Sequence, residues 1–193
     1  MRTLKKSYRD SVGYYTKDED CNDLAVVELE TEVKGVNPAK LYDNDNELGK
    51  RAIMAGYGEI ERADEYNSEK SLHKRRKMGG ENVIDSIGGF KVGNNLAGLF
   101  FDFDGPNSKK FNRMGDSDPL PLEYFVDGGD CGSGLFLSKY GAWKLAGLCA
   151  SPDYPSEYDS YGDKYGKYYG FNCYYIKIFA FQDWINNQIR NRN

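Results

Sequence analysis

The chain has 193 residues, 39% of them apolar and 15% aromatic, which is enough to bury the core of one good-sized domain or two small barrels. A net charge of −4 argues against general nucleic-acid binding, and the composition excludes a wholly disordered protein. No apolar run approaches the length of a membrane span, and the basic residues 1–8 lack the apolar stretch of a secretory signal.

The first fifty residues are predicted to hold one strand between two irregular segments. Residues 1–20 are polar without clear periodicity, which indicates a loose arm. Residues 24–30 form a short apolar run typical of a buried strand. Asp23 directly precedes this strand, either as a group that enters a cleft or as an ordinary turn acid. Residues 34–50, rich in Gly, Pro, Asn and Asp, are predicted to be a surface linker.

From residue 51 the pattern changes to short strands separated by turn residues, as expected for an antiparallel barrel. The predicted strands are 51–57, 82–88, 97–103, 134–138, 143–150 and 171–178. The charged segment 59–81 contains His73 within a basic run, for which a solvated loop is favoured over a nuclear signal, a phosphate site or a protease cut site. Residues 104–119 are predicted to be another surface loop.

The glycine-rich segment 127–136 carries the clearest chemical signal in the chain. Its glycines surround one acid and one thiol, and an apolar strand follows at once. Such a turn can aim the N–H groups of Gly129 and Cys131 at one point, as an oxyanion requires during acyl transfer. Cys131 then occupies the position of a nucleophile. The alternative is a glycine-rich hairpin turn with a buried cysteine.

The last part of the chain is predicted to end in a helix. Residues 152–170 interleave tyrosines with Gly, Asp, Ser and Pro, and form either a binding surface or a loop packed on its own barrel. Residues 179–190 place Phe181, Trp184, Ile185 and Ile189 near one helical face.

The four cysteines do not suggest a metal centre. Cys21, Cys131, Cys149 and Cys173 contain no C-x-x-C pair, and the chain has a single histidine, which disfavours structural zinc. Two disulfides would be possible in a secreted protein, but the spacing names no partners.

The turn and its flanks resemble the nucleophile region of chymotrypsin-like (trypsin-like) peptidases. The resemblance runs through residues 129–136, then Trp143 to Gly147, then the closing segment 179–185, while residues 22–29 are similar to the segment that carries the triad aspartate. Gly56-Tyr57-Gly58 and residues 74–85 are similar to a bacterial-type branch. The implied fold is all-β: a chymotrypsin-like antiparallel β-barrel with a C-terminal α-helix. The implied domains are an arm at 1–20, a remnant of the first barrel with a linker at 21–50, and a complete C-terminal barrel at 51–193.

The resemblance also implies roles for individual residues. Asp23 matches the acid that orients the catalytic histidine, and Cys131 matches the nucleophile. In the family the histidine is the general base that takes the proton of the nucleophile. Gly129 and Cys131 match the oxyanion-hole donors, and Asp130 matches an acid that in many relatives pairs with a newly cut N-terminus.

Three further positions match the substrate-binding part of the family. Phe125 corresponds to the base of the specificity pocket, where it offers no carboxylate for a Lys or Arg side chain. Ala150 and Ser151 correspond to the wall that pairs with the substrate backbone. Cys149 and Cys173 fall on neighbouring strands beside this pocket, with packing as the default expectation. The family implies no cofactor and no metal, a peptide or protein as substrate or ligand, and a monomer that binds neither nucleic acid nor membrane.

The chain departs from the family in two ways. Cysteine replaces the nucleophilic serine, a change that chymotrypsin-fold cysteine peptidases of RNA viruses also show. No histidine precedes Asp23, and His73 lies between acid and nucleophile in the charged loop. Three hypotheses follow: a peptidase domain whose N-terminal part lies outside this chain, a non-catalytic pseudo-peptidase that binds protein, or an active cysteine hydrolase with a rearranged base.

Overall fold

A computed structural model describes residues 4–9, 23–58, 76–106, 112–115, 118–153 and 169–190, with backbone alone at 4–9 and 151–153. His73, Cys21 and most of the tyrosine-rich segment 152–170 lie outside the described residues. The strands are β1 Leu4–Arg9, β2 Ala25–Leu29, β3 Lys40–Leu41, β4 Arg51–Gly56, β5 Met78–Val83, β6 Ser86–Val92, β7 Asn95–Asp102, β8 Gly134–Lys139, β9 Ala142–Asp153 and β10 Asn172–Lys177. A short 3₁₀ segment, Ile178–Phe181, leads into helix α1, Gln182–Arg190.

The fold is all-β with one C-terminal helix, as the sequence predicts. The larger sheet has the strand order β5-β4-β8-β9-β10-β7-β6, and its neighbours along this path are antiparallel. β3 joins this sheet by a parallel pairing with β9, while β1 and β2 form a separate two-stranded sheet. Within the described ranges, no helix is long and apolar enough to cross a membrane.

Several predicted elements differ from the structure at their boundaries. Residues 4–9, expected within a loose arm, form β1 and pair with β2. β2 itself is only partly buried, and the buried residue of this region is Leu24, just before it. The predicted strand 82–88 is two strands, because the chain changes partner at Ile84–Asp85. Ile84 donates its N–H to Lys50 on the β4 side, and Asp85 donates its N–H to Phe100 in β7.

The core has two parts, one on each face of β9 and β10. Along β10, Cys173 and Tyr175 enter the first cluster while Ile176 enters the second, which is the alternation expected of a strand buried on both faces. The first cluster lies within the larger sheet and includes Met54, Phe101 and Leu135. The second cluster is covered by Phe181 and Ile185 from the helical segment, and by Leu24.

A buried ion pair fastens the 34–50 segment to the sheet. Lys177, at the end of β10, has a side chain 1% exposed and forms ion pairs with Asp45 and with the fully buried Glu47, at 3.4 Å from the latter. Burial raises the pKa of the Glu47 carboxyl, and Lys177 opposes that shift. The Lys177 ammonium also lies 5.5 Å from the centre of the Phe179 ring.

We predict that Lys177→Met lowers the free energy of unfolding by about 3–5 kcal/mol, because Glu47 is left buried without its counter-charge. The double variant Lys177→Met/Glu47→Gln should recover most of that loss. Urea denaturation measures both. Lys144→Met is the matched control, since Lys144 pairs at 3.1 Å with the half-exposed Asp43, and it should change the midpoint little. An equal loss in the control and in Lys177→Met would refute the special role of the buried pair.

Candidate functional site

The segment 127–133 is a compact turn that leads into β8. Gly129 and Gly132 have φ angles of 94° and 77°, a region that glycine adopts without strain. Asp130 donates its N–H to the Asp127 carbonyl at 3.0 Å, and Ser133 donates to the Asp130 carbonyl at 2.8 Å. We call residues 127–133 the Cys131 turn.

Two backbone hydrogen bonds attach the Cys131 turn to strand β9. Gly132 donates its N–H to the Cys149 carbonyl at 2.7 Å, and Cys149 donates its own N–H to the Ser133 carbonyl at 2.8 Å. Cys131 therefore stands directly beside the point where the turn meets β9. Its side chain is exposed, so the alternative of a buried cysteine in this turn is wrong.

Two N–H groups of the turn have no acceptor among the described residues. Besides the donors already named, Asp127 donates to the Asp130 carboxylate at 3.2 Å and Gly128 to the Asp127 carboxylate at 2.7 Å. Among the described residues, no acceptor takes the N–H of Gly129 or that of Cys131. Those are the two donors that the family resemblance assigns to the oxyanion hole, and they remain available to an external anion.

The Asp130 carboxylate holds the turn from its inner side. This residue is only 3% exposed. One carboxylate oxygen accepts the Gly58 N–H at 2.7 Å, and the other accepts the Tyr124 hydroxyl at 3.1 Å and the Asp127 N–H. Burial raises the pKa of Tyr124, and the neighbouring Asp130 charge raises it further, so the phenol remains a donor at neutral pH. Three internal donors thus occupy the place that the resemblance gives to a cut N-terminal amine.

The Gly56-Tyr57-Gly58 segment makes room for this carboxylate. A Cβ at Gly56 would overlap an Asp130 oxygen, and a Cβ at Gly58 would lie 2.7 Å from both oxygens. The two glycines are therefore required by a tertiary contact. The sequence shows the Gly-x-Gly pattern but not the acid that it faces 72 residues away.

The other described cysteines are structural. Cys149 and Cys173 are buried free thiols on the neighbouring strands β9 and β10, as predicted. Cys149 faces Tyr175 across the ladder while Cys173 faces Pro152, so the two cysteines are not directly opposed. Burial raises the pKa of Cys149 to about 12, with smaller contributions from Cys131 and Asp130, and burial also raises the pKa of Cys173. Buried thiols of this kind are poor nucleophiles, and Cys131 is the exposed thiol among the described cysteines.

Phe125 lies in an aromatic cluster. Its ring centre is 5.7 Å from that of Phe103 and 5.9 Å from that of Phe171, and Phe103 stacks on Tyr169 at 5.1 Å. The position that the resemblance assigns to the base of a specificity pocket thus has two phenylalanine rings as neighbours. It carries no group that would attract a cationic side chain.

Among the described residues, 150–153 of β9 have a neighbouring strand on one side only. On one side they follow the ladder to β10, where Ser151 pairs with Tyr174. On the other side β8 pairs with β9 only as far as Leu148, and no described strand continues beyond it. The Ala150 side chain packs against the second core cluster, so what Ala150 offers a ligand is its backbone.

Asp23 is not joined to the Cys131 turn in the described part of the chain. It is exposed at the start of β2, and no hydrogen bond or ion pair links it to residues 127–133. Its neighbour Leu24 packs in the second core cluster, against which Ala150 also packs. The structure therefore brings Gly129, Asp130, Cys131 and the β9 edge together, but does not place Asp23 with them.

Glu123, the residue before Tyr124, lies near two other carboxyls, those of Asp85 and Asp102. Glu123 accepts the N–H of Leu120 at 2.8 Å and that of Asp104 at 3.4 Å. Burial raises the pKa of Glu123 to about 7; those two hydrogen bonds oppose the shift, and the nearby Asp102 and Asp85 add to it. No group of three or more His, Cys, Asp or Glu side chains with the geometry of a metal site occurs among the described residues.

No protein-family model matches the chain, and no curated protein matches it in sequence. The chymotrypsin-like assignment therefore stays a prediction drawn from the residues of the turn, the strands and the closing segment.

We predict that Gly56→Ala destabilises the protein by about 2–4 kcal/mol, because its Cβ displaces a buried hydrogen-bonded carboxylate. Chemical denaturation measures the loss. Gly88→Ala is the matched control, because the nearest atom to its Cβ is a ring carbon of Phe100 at 3.3 Å, which can yield. Equal effects of the two substitutions would contradict the packing of Gly56 against Asp130.

The Glu123 carboxyl predicts a pH dependence of stability. Its folded-state pKa of about 7 is above its ordinary 4.5, so the folded state holds an extra proton between these values. The contribution of protonated Glu123 to folding stability is complete below pH 4.5 and is lost as the pH rises through 7. Glu123→Gln should therefore reduce the fall in stability between pH 5 and pH 8 by about 2–3 kcal/mol.

Thermal denaturation at the two pH values measures this effect. Asp183→Asn, an exposed carboxylate at the start of α1, is the control and should change stability equally at both. If wild type and Glu123→Gln lose stability in parallel, Glu123 does not titrate in this range.

Proposed function

We propose that this chain is a chymotrypsin-like peptidase-fold domain, with the larger sheet closed as its C-terminal barrel, and that the Cys131 turn is an acyl-transfer site for peptides. The observation that carries the proposal is the pair of unused N–H donors at Gly129 and Cys131 beside an exposed thiol. Both donors are held on a turn whose other N–H groups are engaged, so they are preorganised for developing negative charge.

The substrate is a peptide in extended conformation. The open edge of β9 at 150–153 can pair with its backbone, as strands add to exposed sheet edges in peptide recognition. The aromatic cluster around Phe125 favours an apolar or aromatic side chain on the acyl side of the scissile bond.

In the proposed reaction the Cys131 thiolate attacks the scissile carbonyl carbon, and the carbonyl oxygen becomes an oxyanion between the two N–H groups. The C–N bond then breaks, the amine leaves with a proton, and a thioester to Cys131 remains. Water attacks the thioester, releases the carboxylic acid and restores the thiol. His73 is the one histidine of the chain and the candidate base for these proton transfers.

A second candidate function is that of a pseudo-peptidase that binds protein without cleaving it. It is favoured by the position of Asp23, which no hydrogen bond or ion pair joins to the Cys131 turn in the described part of the chain. The Cys131 turn and the β9 edge would then serve recognition alone. Binding would survive Cys131→Ala, since the thiol would take no part in it.

We predict that Cys131 reacts selectively with acylating reagents. The measurement compares the rate of acylation by a peptidyl p-nitrophenyl ester with the rate of alkylation by iodoacetamide, each mapped to Cys131 by mass spectrometry. Only acylation develops an oxyanion, so the ratio of the two rates cancels thiol pKa and exposure. Relative to N-acetylcysteine, we expect this ratio to be raised about a hundredfold, with a Phe-ending ester faster than a Lys-ending one.

Three variants define the controls for this prediction. Cys149→Ser should leave the ratio unchanged because its thiol is buried, and Cys131→Ser should abolish the mapped signals. His73→Ala should slow release of the acyl group without changing the alkylation rate if His73 is the base. A wild-type ratio equal to that of N-acetylcysteine would reject the acyl-transfer site and leave the binding module.

A further inference from the structure

We infer that Tyr124 and Gly58 are positioning residues, which hold the Cys131 turn through the Asp130 carboxylate and thereby make its assembly independent of any chain-terminal amine. This inference rests on the proposed function where it concerns catalysis. Both residues act through their hydrogen bonds to the Asp130 carboxylate.

Asp130 couples the Cys131 turn to two segments that are distant in the chain or outside the turn. Its backbone N–H and carbonyl both take part in the internal hydrogen bonds of the turn. Its side chain reaches away from them to the Gly58 N–H, just past the end of β4, and to the Tyr124 hydroxyl. Movement of this carboxylate would therefore move the peptide groups that carry the Gly129 and Cys131 donors.

Tyr124 is itself attached to β5 by backbone hydrogen bonds. It donates its N–H to the Glu81 carbonyl at 3.0 Å, and Glu81 donates back to the Leu122 carbonyl at 2.8 Å. Gly80 provides the space, since a Cβ there would lie 2.8 Å from the Tyr124 Cβ. The hydroxyl is thus presented to Asp130 by a segment fixed to the sheet on two sides.

Both oxygens of the Asp130 carboxylate already have hydrogen-bond donors from within the chain. One oxygen has the Gly58 N–H, the other has Tyr124 and Asp127, and the empty Cβ positions of Gly56 and Gly58 are filled by the carboxylate itself. An inserted ammonium group would have to compete with these three donors for the two carboxylate oxygens.

The experiment uses Tyr124→Phe in the full chain, with two independent readouts. The first is the ratio of Cys131 acylation by the peptidyl p-nitrophenyl ester to its alkylation by iodoacetamide. The second is amide hydrogen exchange in residues 127–134 compared with β9 and β10. Tyr42→Phe is the matched control, since Tyr42 is also buried and donates its hydroxyl to Asn46 at 2.8 Å, within the 34–50 segment.

We expect Tyr124→Phe to lower the acylation-to-alkylation ratio about tenfold or more, because misplaced oxyanion donors lose most of their effect. Exchange in 127–134 should accelerate while β9 and β10 stay protected. Tyr42→Phe should change neither readout. Acetylation of the N-terminal amine should leave the wild-type ratio unchanged.

The outcomes separate this inference from the proposed function. A normal wild-type ratio enhancement with no effect of Tyr124→Phe on either readout would overturn the positioning role and leave acyl transfer intact. Absence of any wild-type enhancement, with faster exchange in Tyr124→Phe, would reject acyl transfer and support the positioning role. Loss of the wild-type ratio on acetylation of the amine would overturn the internal assembly of the turn.

Discussion

The structure around the candidate site depends on one buried carboxylate. Asp130 is almost fully removed from water, which is costly for a charge unless its oxygens are hydrogen-bonded. Gly58, Tyr124 and Asp127 meet that requirement from three different positions in the chain. The same contacts draw the end of β4, the segment before the turn and the turn itself to one point. The exposed Cys131 and the unused N–H pair are the outer face of this arrangement.

Much of the fold is predictable from local pattern. β4, β7, β8, β9, β10 and the closing helix all fall where apolar periodicity and turn residues place them. The break between β5 and β6 is not predictable in this way, because it is set by a change of hydrogen-bonding partner between Ile84 and Asp85. β1 is not predictable either, since its polar residues are ordered by pairing with β2 and no apolar pattern marks them.

The tight turn around Cys131 is predictable from the sequence, but the contacts that support it are not. The spacing of glycines around Cys131 indicates a tight turn with free N–H donors, and the turn has that form. The roles of Gly56, Gly58 and Tyr124 could not be read from sequence, because each depends on a contact with Asp130 made only in the folded chain. Asp23 shows the opposite case: a residue assigned by resemblance that no hydrogen bond joins to the turn among the described residues. The described residues thus show two unused N–H donors beside an exposed thiol, without a hydrogen bond to Asp23, which fits either candidate function.

In the proposed site, the Cys131 turn presents the Gly129 and Cys131 N–H groups to an oxyanion. The decisive measurement is a crystal structure of the protein treated with a peptidyl aldehyde that ends in Phe, since the aldehyde forms a hemithioacetal with Cys131. We expect the hemithioacetal oxygen at hydrogen-bond distance from both N–H groups, roughly 2.7–3.1 Å. An adduct whose oxygen points into solvent and contacts neither donor would overturn this role of the turn.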